Sequence, residues 1–117
     1  MATAAVNLSD FDPNDLPKVD GMRFALVVAE WNEQITSGLA KGAMDTLITA
    51  GVNEKDIIQH QVPGSFELVY ASKKLCEASK YDAIIAVGCV IQGETKHFDF
   101  VCQGVTQGLQ ELNVNYD

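Results

Sequence analysis

Two hydrophobic rhythms alternate along the chain. Arg23 to Glu30 is a near-continuous apolar run of strand length, the pattern of a strand buried on both faces. After Trp31-Asn32-Glu33, the residues Ile35, Leu39, Ala43 and Leu47 recur at helical spacing, with Met44 and Ile48 beside them. That spacing predicts an amphipathic helix stopped at Gly51. Asp56 to Val62 reads as a second strand, ended by Pro63-Gly64. Phe66, Val69, Ala71, Leu75 and Cys76 predict a second helix that finishes near Ser79. Asp82 to Ile91 is the most apolar segment and the third strand. Phe98, Val101, Val105, Leu109 and Leu112 mark one face of a third helix starting near His97.

Strands that alternate with helices predict an α/β fold, with a parallel sheet and right-handed crossovers. Residues 1–20 are polar, are punctuated by Pro13 and Pro17, and predict an extended arm with no helix or core strand of its own. Residues 21–117 form the α/β domain. Three strands make a thin sheet, below the usual four to six or so, so the chain reads as part of a longer protein.

Composition narrows the function classes. At 117 residues and 47% hydrophobic content the chain suits one domain with a true core. The net charge of −8, with eight Lys and Arg scattered singly, argues against nucleic-acid binding and against anionic membranes. No apolar stretch approaches the roughly 18–20 residues that span a bilayer, and no signal peptide is evident. Cys76, Cys89 and Cys102 are odd in number and lie in apolar surroundings without a C-x-x-C pair. They predict reduced core thiols, no metal site and a cytoplasmic location.

In open α/β sheets, ligands bind beyond the carboxyl ends of the strands. Three chemically rich segments fall there: Trp31-Asn32, Pro63-Gly64-Ser65-Phe66-Glu67, and Gln92-Gly93-Glu94-Thr95-Lys96-His97. In the last, Glu94, Thr95 and Lys96 present backbone N–H groups at a helix start, which suits an anion. His97 stands next to them and has the chemistry to shuttle protons near neutral pH. An ordinary helix cap with a surface histidine fits the same residues. Trp31 is a flat surface for a ring or a core or interface tryptophan. Glu67 is an acceptor for ligand hydroxyls or a first-turn acid that steadies its helix. His60 has no obvious partner, and Cys89 reads as a buried strand residue.

Several alternatives lack their motifs. No G-x-G-x-x-G follows the first strand, and no G-x-x-x-x-G-K-[ST] occurs. Ser65 lacks the G-x-S-x-G frame of a hydrolase elbow. No His, Cys and carboxylate cluster has metal spacing.

Trp31-Asn32, Val62 to Glu67 and Gly88 to Val101 together resemble the lumazine synthase family, and the resemblance runs from about Arg23 to the end of the chain. The P-G-[AS]-F-E and G-E-T-x-H-F-[DE]-[YF]-V pieces carry it. The resemblance implies a flavodoxin-like three-layer sandwich with a parallel sheet, cut after the third helix. It implies a transferase of riboflavin biosynthesis that condenses 5-amino-6-(D-ribitylamino)uracil with 3,4-dihydroxy-2-butanone 4-phosphate to give 6,7-dimethyl-8-ribityllumazine, without metal or organic cofactor.

By the same resemblance, Trp31 takes the stacking position, where Phe is commoner, and Asn32 lies beside it at the substrate. Ser65, Phe66 and Glu67 hold the uracil and ribityl chain, with Glu67 on the ribityl hydroxyls. Cys89, Val90 and Ile91 line the ring site, Glu94 and Thr95 bind the phosphate, and His97 transfers protons. Gln92 stands where Arg is frequent. The resemblance also implies a homopentamer or larger shell with sites shared between subunits, and an arm that pairs with a neighbour's sheet. A fourth strand, a phosphate-binding Arg and C-terminal helices are expected beyond Asp117, so little activity is expected of residues 1–117 alone. The rival readings are a non-catalytic flavin- or lumazine-binding shell protein and a flavodoxin-like electron carrier.

Overall fold

The structure is a computed structural model that describes residues 10–117. Three parallel strands, β1 (Phe24–Ala29), β2 (Ile57–Val62) and β3 (Ala83–Val87), lie in the order β2-β1-β3. They alternate with α1 (Glu33–Thr49), α2 (Leu68–Ala78) and α3 (His97–Asn115). Short 3-10 turns cover Pro13–Asp15, Glu54–Asp56 and Ser65–Glu67.

β1 is central and buried at all six positions, which is why it reads as unbroken apolar sequence. Its residues serve two cores. Phe24, Leu26 and Val28 pack with Ala40, Val52, Ile57 and Val87, joined by Ala43, Met44 and Leu47 of α1. Val27 and Ala29 pack on the other face with Val62 and Leu68, joined by Ala71 and Leu75 of α2. The chain moves from β1 out to β2, then back across β1 to β3. Crossovers of one hand require α1 and α2 on opposite faces for those two directions, and the cores place them so. α3 packs beside α2. The result is the expected α/β/α sandwich.

At the amino end of the sheet, Arg23 and Asp82 set the β1–β3 register. The Asp82 amide donates to the Arg23 carbonyl at 2.8 Å, and the Arg23 amide donates to Asp82 Oδ2 at 2.7 Å. Phe24 then lies opposite Ala83.

Three expectations need correction. β3 ends at Val87, not Ile91, so Cys89 lies beyond the strand and is half-buried. The inward row of α1 is Thr36, Ala40, Ala43, Met44 and Leu47, while Ile35 and Leu39 are exposed at 47% and 52%. Burying Thr36 carries no polar penalty, because its hydroxyl faces the Asn32 carbonyl at 3.5 Å. Phe66 precedes α2 in a 3-10 turn and is exposed; Leu68 and Ser72 are the buried positions of that helix. Within residues 10–20, a 3-10 turn covers Pro13–Asp15, and Val19 packs on the α1-side core with its amide donating to the Ala50 carbonyl. The expectation for residues 1–9 lies outside the described residues.

Candidate active site

The sheet order reverses between β1 and β3, and the crevice beyond their carboxyl ends is where such folds bind ligands. A cavity of about 590 Å³ opens there. It is lined by Trp31 and Asn32 after β1, by Pro63 to Glu67 after β2, and by Cys89, Val90 and Ile91 after β3. The first turns of α3 add His97, Phe98, Phe100 and Val101. The volume suits a small organic ligand.

Each wall is held by local bonding. The β1–β2 ladder continues one step past both strands: the Glu30 amide donates to the Val62 carbonyl at 2.8 Å and the Trp31 amide to the Pro63 carbonyl at 3.1 Å. This fixes the Trp31 backbone while its side chain stays 72% exposed. Asn32 then adopts left-handed backbone (φ 61°, ψ 48°) and starts α1. A short polar side chain tolerates that conformation better than a bulky or branched one.

The second wall turns on Glu67. Its Oε2 accepts from the Gly64 amide at 3.0 Å, so the carboxylate closes the turn that leads into α2. Ser65 is buried, and its hydroxyl donates to the Cys89 carbonyl at 3.2 Å. Asn32 Nδ2 donates to the same carbonyl at 3.3 Å. These two side chains replace the ladder where β3 stops. Gly88 permits the approach, since a Cβ there would lie 2.5 Å from Ser65 Oγ and 2.7 Å from Leu68 Cδ1.

Nine of the eleven residues singled out from sequence line this one cavity: Trp31, Asn32, Ser65, Phe66, Glu67, Cys89, Val90, Ile91 and His97. Glu94 and Thr95 do not. Both are exposed on the loop that leads into α3, where Thr95 Oγ1 accepts from the His97 amide at 3.4 Å. His97 is the first residue of α3 and is exposed. Its amide is among those that lack a helical partner.

Gly88, Phe98 and Phe100 also belong to the site, although the sequence pattern marks Phe98 only as a packing residue of α3. The signal for Phe100 was present: an aromatic three residues after His97 lies one helical turn on, outside the predicted packing row. His60 sits mid-strand in β2 opposite Val27, is exposed and does not line this cavity. Among the described residues no cluster of His, Cys, Asp or Glu could hold a metal, and no helix is long and apolar enough to cross a membrane.

Comparison with known proteins gives the chain its relatives. Residues 21–117 match the model of a family described as 6,7-dimethyl-8-ribityllumazine synthase. The proteins of that name from Flavobacterium johnsoniae and Christiangramia forsetii are 55% and 56% identical to it, over the whole of this chain. The one from Porphyromonas gingivalis is 54% identical over 98% of this chain. The chain spans 62% of the length of the Flavobacterium relative, 70% of the Christiangramia one and 71% of the Porphyromonas one. On these matches, the chain belongs to the 6,7-dimethyl-8-ribityllumazine synthase family.

Proposed function

We propose that this chain supplies the pocket of a transferase that condenses 5-amino-6-(D-ribitylamino)uracil with 3,4-dihydroxy-2-butanone 4-phosphate. The product is 6,7-dimethyl-8-ribityllumazine, in riboflavin biosynthesis. One observation carries the reading: three strand ends remote in sequence converge on one cavity that combines an open aromatic face, a carboxylate and an imidazole.

In this reading Trp31 stacks on the pyrimidine, an arrangement favoured by its exposed ring. Val90, Ile91 and Cys89 form the opposing side of the slot. Ser65 and Phe66 border the uracil. Glu67 uses Oε2 on Gly64 and offers Oε1 to the ribityl hydroxyls. The phosphate of the four-carbon substrate lies by Glu94 and Thr95, at the start of α3, where helix dipole and free amides favour an anion. The long Thr95–His97 contact leaves both groups open to it.

His97 shares the cavity with the ring-binding residues and adjoins the phosphate loop. In this reading it takes and returns the protons of Schiff-base formation, phosphate elimination and ring closure. None of these steps needs an electron carrier, so the reading calls for no cofactor.

The assembly in this reading is a homopentamer or larger shell, in the cytoplasm, with sites shared between subunits. The rim supports it. Trp31, Phe66, Ile91 and Phe100 are all large, apolar and more than half exposed around one opening, a surface that favours cover by another subunit. In the same reading the arm ahead of Val19 reaches a neighbour's sheet, and deleting it should weaken the oligomer.

The test is absorbance of the product when the purified full-length protein meets both substrates. Product that depends on both supports the reading. Binding of the product without its formation would favour a non-catalytic shell protein on the same scaffold.

A further inference from the structure

The Cys89 carbonyl lies two residues past the last ladder residue of β3. Its acceptor bonds come from two side chains, Asn32 Nδ2 at 3.3 Å and Ser65 Oγ at 3.2 Å. Those donors stand at the ends of the other two strands. One backbone oxygen therefore ties all three β-to-α junctions together, at the point where the sheet order reverses.

The tie is built into the surrounding backbone. Ser65 is 8% exposed, and its hydroxyl reaches Cys89 only because Gly88 has no side chain. Asn32 is held in left-handed backbone at the head of α1, and its amide is turned inward to Cys89. An amide donating to a half-buried carbonyl is occupied in the protein, and breaking the bond would leave that carbonyl short of a partner. The residues that follow, Val90 and Ile91, have left the sheet and line the same cavity as Trp31.

We infer that Asn32 is a positioning residue, seconded by Ser65: through the Cys89 carbonyl it sets the spacing between Trp31 and the Val90–Ile91 wall, and so the fit of a planar heteroaromatic ring. It does this without touching the ligand. The inference rests on the proposed function and deepens it, because it assigns ring selection to a bond inside the protein. The phosphate-bearing substrate, held at the start of α3, does not depend on that bond.

Two variants separate the amide from the backbone. Asn32→Gly keeps the left-handed conformation accessible and removes the donor. Asn32→Asp keeps the size and sets an oxygen against the Cys89 carbonyl. Ser65→Ala removes the second donor alone. Steady-state kinetics with each substrate varied in turn, in the purified full-length protein, gives the readout. Asn32→Gly should raise KM for the pyrimidine roughly tenfold, with KM for the butanone phosphate and kcat each within about twofold.

Asn32→Asp should raise the pyrimidine KM further, and Ser65→Ala should raise it less. Without any ligand, the Cys89 carbonyl ¹³C resonance should move upfield in each variant as a donor is lost. An unchanged pyrimidine KM, a fall in kcat at constant KM, or equal rises in both KM values would overturn the inference. An unmoved carbonyl resonance would do the same. Absence of turnover in the unmodified full-length protein would instead sink the proposed function, an outcome separate from either result for Asn32.

Discussion

A methyl group on Gly88 would stand 2.5 Å from the Ser65 hydroxyl oxygen, a separation that no carbon and oxygen tolerate without moving. Leu68 Cδ1, on the buried side of α2, would lie 2.7 Å away as well. Gly88→Ala must therefore shift Ser65, α2 or the β3 end. The expected cost is about 1–3 kcal/mol of unfolding free energy, the usual range for overpacking. Urea denaturation checks it, and an unchanged midpoint would show that the junction yields freely.

Glycines on the helices divide by sign. At Gly108 on α3 a Cβ would meet both Val69 γ-carbons at 2.7 Å, whereas at Gly38 and Gly42 on α1 it would meet nothing within 4 Å. Gly108→Ala should destabilise by about 1–3 kcal/mol. Gly38→Ala and Gly42→Ala should each stabilise by about 0.5–1 kcal/mol, through the ordinary helix preference for alanine. Thermal melts of the three variants should fall on opposite sides of the parent.

Glu67 has two separable duties. Glu67→Ala loses the bond to the Gly64 amide and should cost about 1 kcal/mol of stability, as capping substitutions do. Glu67→Gln keeps an acceptor for that amide and should stay within about 0.5 kcal/mol of the parent. Both should weaken binding of ribityl compounds, because a carboxylate accepts stronger hydrogen bonds than an amide. Chemical denaturation and calorimetric titration with the ribityl product separate the two effects.

His97→Ala should lower kcat by roughly 10²–10⁴-fold, the span of a lost general acid–base group. His97 is exposed, so stability should change by no more than about 0.5 kcal/mol. A variant with full kcat would remove His97 from the chemistry.

Burial pushes the Cys76 thiol above its ordinary range. A raised thiol pKa means less thiolate at a given pH, and thiolate is the reacting form. At mildly alkaline pH Cys76 should react with an aromatic disulfide more slowly than a small free thiol does. The gap should narrow only as pH rises past the ordinary thiol range. Mass-resolved labelling rates follow this one site.

The strand-to-helix frame and the cluster of chemistry at the strand ends were legible in the sequence, because strand-length apolar runs and their polar stops mark where a parallel sheet hands over to its helices. The rest depended on contacts between distant residues. The run from Gly88 to Ile91 is as apolar as a strand, yet it leaves the ladder because Asn32 and Ser65 take the Cys89 carbonyl. On α1, the spacing of large apolar residues favoured Ile35 and Leu39. The helix instead turns Thr36 and Ala40 inward, whose small side chains let it lie close on β1. Glu94 and Thr95 are neighbours of His97 in sequence, but the loop before α3 holds them outside the cavity wall.

Trp31 is the single tryptophan of the chain and lines the cavity, so its fluorescence reports directly on whether a ring enters there. Titration of the purified protein with 6,7-dimethyl-8-ribityllumazine tests the central claim, that the three strand ends form one pocket for a ribityl-bearing heterocycle. Saturable quenching of Trp31, weakened in Glu67→Ala, is the predicted result. Emission that stays constant through the titration, or quenching that never saturates, would contradict it.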